Sequence, residues 1–482
     1  MRRIAAGAPV RLDDGLMTAV AAHRKRVLAA LTQSAKPVYG VNTGMGRLAG
    51  TVLTAEQQAD HQVRLLIGRA VGGPPWLPDD DVRAVLAVRL RDVLMPETGA
   101  SAELARFVAD RLNDGFVPAV PRTGLGSAGE IIPLCHAFQT FAGIGTVLEN
   151  GREVPAAQAL SSRGVDPYRP GPKEGISLLQ GTPVAVAHAL LRVEQASLAV
   201  DRQLVTCAMA VDVLGAPRAV YRSALGGPDR VLTGVLAEVH ALTAEAAERP
   251  ELVQAPVSVR VAPHAVAYAR RTLAELESAA GRVLAMPTDS PAFVEGEFVS
   301  TAGFHATELG LRMDAVTASL THLAEVGVQR IHRMLDDRFS GLPAQLTPDP
   351  GPQAGLSPLH KRAVGELHAM RLLSTPATLG SLDTSAGQED VQAFACAAGE
   401  QLREALDRLL VITACELITA HQAHVLRGNP GAPALRDVYR QVGEIVPAVL
   451  VDRPLGPEIT ALVRALRSWR SGPWAPRGGS AS

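Results

Sequence analysis

The chain has 482 residues, enough for two or three domains' worth of core, with 47% hydrophobic, 20% charged and only 4% aromatic residues. This alanine- and leucine-rich composition favours helices, and a net charge of −1 argues against nucleic acid or an anionic membrane as partner. Four scattered cysteines (Cys135, Cys207, Cys396, Cys415) have no metal or redox spacing, so a reduced, cytoplasmic setting is expected.

The N-terminal stretch Met1–Pro9 is basic but lacks the apolar segment of a signal peptide. No uncharged apolar run is long enough to span a bilayer. Residues 38–50 and 121–134 are glycine-rich and read as loops, each leading into an apolar segment. Helical apolar spacing then runs from Val184 to Glu248, and again over 264–285, 305–338, 359–373 and 388–426. Pro- and Gly-rich passages at 163–183 and 341–358 interrupt it. Sustained period-two alternation is absent. The pattern predicts a mainly α protein, long helices packed as an antiparallel bundle, with a smaller loop-rich N-terminal region. The expected divisions are 1–165, a central bundle 166–425, a C-terminal helical segment 426–470 and a disordered tail 471–482. Helices this long and this apolar are expected to bury against other subunits as well.

Two loops hold the candidate chemistry. Tyr39-Gly40-Val41-Asn42-Thr43-Gly44-Met45-Gly46 has three glycines that let the backbone approach a ligand. Its tyrosine is either a packed turn residue or an acid–base group. The second loop reads Pro121-Arg-Thr-Gly-Leu-Gly-Ser-Ala-Gly-Glu-Ile-Ile-Pro-Leu134. Ser127 and Glu130 match a capping box, but Pro133 would then fall inside the helix. A helix from Pro133, preceded by a loop whose amides can hold an anion or oxyanion, fits better.

Six segments in order resemble the aromatic amino acid ammonia-lyases: Tyr39–Gly46, Gln62–Gly72, Lys173–Thr182, Val253–Arg260, Gly303-Phe304-His305 and Ser385–Asp390. In that family an Ala-Ser-Gly triad cyclises to methylideneimidazolone (MIO), a built-in electrophile. The matching triad here is Ser127-Ala128-Gly129, and alanine has no hydroxyl to eliminate, so the resemblance implies a member without MIO or any other cofactor. The rival frame Gly126-Ser127-Ala128 keeps a serine and would make the chain an authentic MIO enzyme. Further departures cluster: Gln180 and Gly303 stand where asparagines are usual, and Val257 where a tyrosine is.

The resemblance implies a homotetramer whose sites combine residues from different subunits. It makes Tyr39 the catalytic base on a lid loop and places Glu389 near the substrate amine. Arg260 would grip a substrate carboxylate. Gly68 and Arg69 occupy the pair that selects the substrate ring, and Gln180, Phe304, His305 and Leu356 join the substrate-binding set. A cation at 69 favours a second anionic group on the substrate; the alternative is an ion pair with a neighbouring acid. His305 either orients a loop, binds substrate or is a buried structural histidine.

A tyrosine alone cannot remove a weakly acidic β-proton at a useful rate. The expected function is therefore an MIO-independent, lyase-like elimination, addition, isomerisation or cyclisation. Its substrate would be small, anionic and preactivated, in a niche suited to specialised metabolism. The alternative from another class is a non-catalytic scaffold or small-molecule binder.

Overall fold

The computed structural model describes residues 1–33, 36–428 and 431–469; the tail expected at 471–482 lies outside them. The chain is mainly helical, as its composition implies. Helices α1 (Asp14–Gln33), α2 (Ala55–Ile67), α3 (Asp79–Val93), α4 (Ala102–Asn113) and α5 (Ile131–Gln139) come first. The short α6 (Glu174–Leu179) leads into the long α7 (Pro183–Leu214), then α8 (Arg230–Leu242) and α9 (Ala262–Ala285). Next come α10 (Thr307–Leu335), α11 (Ser357–Leu373), α12 (Ala395–Arg427), α13 (Arg436–Ile445) and α14 (Gly456–Ser468).

Local chemistry sets these boundaries. A reciprocal capping box starts α2: the Gln57 amide donates to Thr54 Oγ1 at 3.2 Å, and the Thr54 amide to Gln57 Oε1 at 2.8 Å. The expected unbroken run from Val184 to Glu248 is two helices. It stops at Leu214 because Gly215 turns left-handed (φ +59°) and Pro217 follows. It restarts where Asp229 accepts the Leu232 amide at 3.0 Å. The helix expected from 388 begins only at Ala395, because residues 384–389 close a turn and Phe394 is left-handed (φ +45°). α5 starts at Ile131, two residues before the proline expected to open it. Pro133 is its third residue, where a missing N–H would have had no helical partner anyway.

Two antiparallel hairpins were not anticipated. β1 (Thr146–Glu149) pairs with β2 (Arg152–Pro155), with Val147 opposite Val154. Asn150 and Gly151 both take positive φ (53° and 75°), the two-residue turn that asparagine-glycine favours. β3 (Ala292–Val294) and β4 (Glu297–Val299) form the second.

The residues fall into two compact units, each of three stretches. The first comprises 1–192, 276–313 and 376–400. Its core packs Phe107 and Phe138 edge-on against Phe141, at 5.1 and 5.2 Å between ring centroids. The second comprises 193–275, 314–375 and the described residues from 401 onward. At its centre the fully buried Arg330 donates to Glu416 (3.0 Å) and Gln203 (2.9 Å).

Two helical stretches, Glu174–Leu214 and Ala395–Arg427, are long and apolar enough to cross a membrane by length and composition. Their most apolar windows are 94% and 78% buried within the protein, so that apolar surface goes into its own core. All four cysteines are free and buried.

Candidate active site

The loop before α5 is held by side chains from distant stretches of the first unit. Ser127 does not cap the helix; its hydroxyl donates to the Gly129 carbonyl at 2.6 Å. The Ala128 amide donates to Glu389 Oε2 at 3.0 Å. That carboxylate is itself fixed, accepting from Ser385 Oγ (3.1 Å) and Thr384 Oγ1 (3.3 Å) inside a turn closed by the 384–389 backbone pair. Phe304 lies over Gly129, where a Cβ would come within 3.2 Å of its ring, so a side chain at 129 would have to push the ring aside.

These residues border a narrow recess open to solvent, lined among others by Ala128, Gly129, Glu130, Phe304, His305 and Cys396. Its wall includes residues at or just before the first turns of α5, α10 and α12, where backbone N–H groups lack helical partners. Two wall residues, Ala306 (φ +52°) and Phe394 (φ +45°), are left-handed without being glycine, a strain that tends to gather at functional sites.

Glu130 is buried at the start of α5 but sends its carboxylate to α7, accepting the Val184 and Ala185 amides at 2.6 and 2.7 Å. Burial pushes its carboxyl up to about 8, against the opposing pull of those two amides. The Cys396 thiol is raised by its own burial and by the charge of Glu130 beside it.

The Tyr39 loop reaches the same place. The half-buried Tyr39 accepts the Gly46 amide on its phenol oxygen at 2.8 Å. A Cβ at Gly46 would lie 3.6 Å from Ser385 Oγ, one hydrogen bond from Glu389. Gln62 ties this loop to α6, donating to the Gly40 carbonyl at 3.1 Å and accepting the Ile176 amide at 3.2 Å. Tyr39, Ser127–Gly129, Phe304, His305 and Glu389 are thus brought together within one unit.

The other expected residues are placed differently. Gly68 caps α2, and Arg69 donates to the Leu65 carbonyl at 3.3 Å with no carboxylate in ion-pair reach among the described residues. The neighbouring-acid alternative for Arg69 therefore has no support. Gln180 is buried, and its carbonyl accepts from the fully buried Arg89. His305 is half-buried and joined at both nitrogens, to Thr307 Oγ1 (2.6 Å) and the Val391 carbonyl (3.2 Å), which fits a loop-orienting role. Arg260 and Leu356 belong to the second unit. Arg260 donates to the Ala255 carbonyl at 2.8 Å, and Leu356 is fully buried, a packing position with no open surface.

The sequence reading missed Glu130 as more than a capping partner, and Cys396 as more than one of four scattered cysteines. An acid between a glycine loop and an apolar helix was the visible signal for the former. Behind the recess, Arg122 pairs with Glu400 at 2.8 Å and anchors the loop's entry. His188 lies 3.8 Å from Glu400 and 3.7 Å from Asp81, too far for hydrogen bonds. Both acids are already engaged, by Arg122 and Arg192. Burial, with those two cations, therefore pushes the ring's pKa down to about 3.

The helical fold thus sets a tyrosine loop, a glycine-rich loop and a glutamate within one unit, a set of groups suited to acid–base chemistry. Residues 1–444 match the family model for aromatic amino acid lyases, and the chain belongs to that family. It is 30% identical to histidine ammonia-lyase of Bradyrhizobium diazoefficiens, over 96% of this chain and 92% of that protein. Its fold matches tyrosine aminomutase of Streptomyces globisporus with a TM-score of 0.91 at 27% identity, covering 96% and 94% of the two chains. The fold is also that of ergothionase, an ergothioneine-degrading enzyme of Treponema denticola, with a TM-score of 0.91 at 23% identity and coverage of 97% and 96%.

Proposed function

We propose that the protein is an MIO-independent lyase-type enzyme acting on a small, preactivated anionic substrate, with Tyr39 as acid–base group. The observation that carries this reading is the Glu389 carboxylate bonded to the Ala128 amide at the centre of the triad. MIO does not fit the residues present. Ala128 offers no hydroxyl to eliminate. In the rival frame the ring-closing nitrogen would be the Ala128 amide, which is committed to Glu389, while the Ser127 hydroxyl is committed to Gly129.

Without an electrophile, the substrate must bring its own acidified proton or good leaving group. Arg69, free of a carboxylate partner among the described residues, supplies a cation for one anionic group. Arg260 enters by resemblance as the grip on a second, in a homotetramer whose sites draw on more than one subunit. Of the loop amides first expected to hold developing negative charge, that of Ala128 is taken by Glu389. The reaction class is left open by the scaffold, because this fold serves a lyase, an aminomutase and an ergothioneine-degrading enzyme.

Two measurements test the proposal. The intact mass of the purified protein should equal that of the unmodified chain; a mass lower by two waters would overturn the MIO-free reading. Screening of preactivated anionic amino acids should then yield a turned-over substrate. On it, Tyr39→Phe should lose on the order of 100-fold or more in kcat while still binding, and an unchanged kcat would remove the acid–base assignment.

A further inference from the structure

We infer that a groove of the second unit, walled by α7, α12 and α14, binds a short branched-chain carboxylate. The groove encloses about 130 Å³. An apolar cavity of about 150 Å³ accommodates benzene, so a branched chain of about five carbons has room here. None of the residues assigned to the proposed active site lines it, and binding there needs neither Tyr39 nor turnover. Helical spacing builds the groove. Leu198, Ala199 and Arg202 share one face of α7, and Leu406, Asp407 and Leu410 share one face of α12. Ala199 carries only a methyl group, which leaves space between the leucines. Leu198, Ala199, Leu406 and Leu410 are each at most 7% exposed, so the floor is apolar and shielded.

The polar part of the lining sets two guanidiniums, Arg202 and Arg467, against one carboxylate, Asp407. Arg202, 4% exposed, donates to the Leu466 carbonyl and lies 3.5 Å from that of Trp469. It thereby fixes the last turn of α14 and with it the position of Arg467. At the mouth Arg467 pairs with Asp407 at 2.6 Å, their side chains 53% and 42% exposed, so an entering anion meets this rim first. On α12, Arg403 stands 3.5 Å from Asp407 and adds a further cation. A guanidinium has five N–H donors in a fork that matches a carboxylate, so each arginine can hold a ligand oxygen beside its present partners. Such charge-assisted bonds are strongest where water is thin, as around Arg202. An acid with an aliphatic body matches both the apolar floor and the positive excess. An ammonium on the same molecule would face like charge, so the class is a simple carboxylic acid rather than an amino acid.

The test is a saturation-transfer NMR titration of the whole protein with 3-methylbutanoate, with 3-methylbutanamide as its neutral counterpart. The acid should bind saturably, and the amide at least about tenfold more weakly. Arg467→Gln removes a cation from beside Asp407 and should weaken binding of the acid on the order of tenfold. Asp407→Asn removes the one carboxylate of the lining and should strengthen it several-fold. Ala199→Leu fills the floor and should abolish it. The inference is overturned by an absence of saturable binding, by acid and amide binding alike, or by rim variants that fail to move affinity in opposite directions. Binding lost in Arg69→Gln but kept in Ala199→Leu would place the acid in the proposed active site and overturn it as well. Should Ala199→Leu fail to fold, the opposed responses of the two exposed rim positions still decide. Failure of the Tyr39 assignment would leave every one of these outcomes unchanged.

Discussion

Replacing Glu389 by alanine should release the Ala128 amide. In the native protein that amide, on a residue 8% exposed, donates to a carboxylate at 3.0 Å. A hydrogen bond to a charged acceptor contributes about 1.5–3 kcal/mol, and a buried donor left unpaired costs about as much as it loses. Taking about 2 kcal/mol, the free energy of local opening falls enough to speed exchange of the Ala128 amide by roughly 30-fold. Hydrogen–deuterium exchange on a peptide covering 124–130 reads this directly, with a peptide from α3 as the unchanged reference. Glu389→Gln keeps an acceptor but no charge, so its acceleration should be smaller, on the order of 5-fold. Exchange that is unaltered in Glu389→Ala would refute the idea that this carboxylate holds the loop, whatever its part in catalysis.

Acidification should act through His188. Its neutral ring is favoured in the fold (pKa about 3), so the stabilisation is complete above the unfolded value near 6.5 and is lost as pH falls toward 3. From pH 7 to 5 this removes 1.5 units, or about 2 kcal/mol. Urea unfolding at fixed protein concentration should show a loss smaller by that amount in His188→Asn, and equal losses would refute the assignment. Gly40→Ala should destabilise by about 2–3 kcal/mol, because φ is +66° and the new Cβ runs into Ile176 and Met45. Gly164→Ala, at φ +65° with open space around it, should cost only about 1 kcal/mol; equal melting temperatures would show that the contact with Ile176 does not matter.

The long helices were legible because their apolar periodicity survives in composition alone, and both glycine-rich loops stood out by content. Breaks inside the long pattern were harder to see. Gly215-Ala216-Pro217 ends α7 within a run whose periodicity continues on either side. Asn150-Gly151 did announce a turn, but its strands are four residues each, too short for alternation to register. In the site, Tyr39 and Glu389 were readable through resemblance to a family. Glu130 was not, because its partners lie 54 and 55 residues away and the local motif offered Ser127 instead. Pro133 misled by two residues because proline is tolerated anywhere in a first turn. Arg69 could be placed but not interpreted, since only the fold shows that no acid among the described residues comes within reach.

The left-handed backbone at Ala306 and Phe394 bears on engineering. A programme seeking thermal robustness would be drawn to glycine at both, since it relieves the strain of a side chain at positive φ. Either change would also erase part of the wall that gives the recess its outline. At these two positions hardiness and discrimination pull in opposite directions, and a variant selected only for surviving heat would drift toward a broader and less particular pocket.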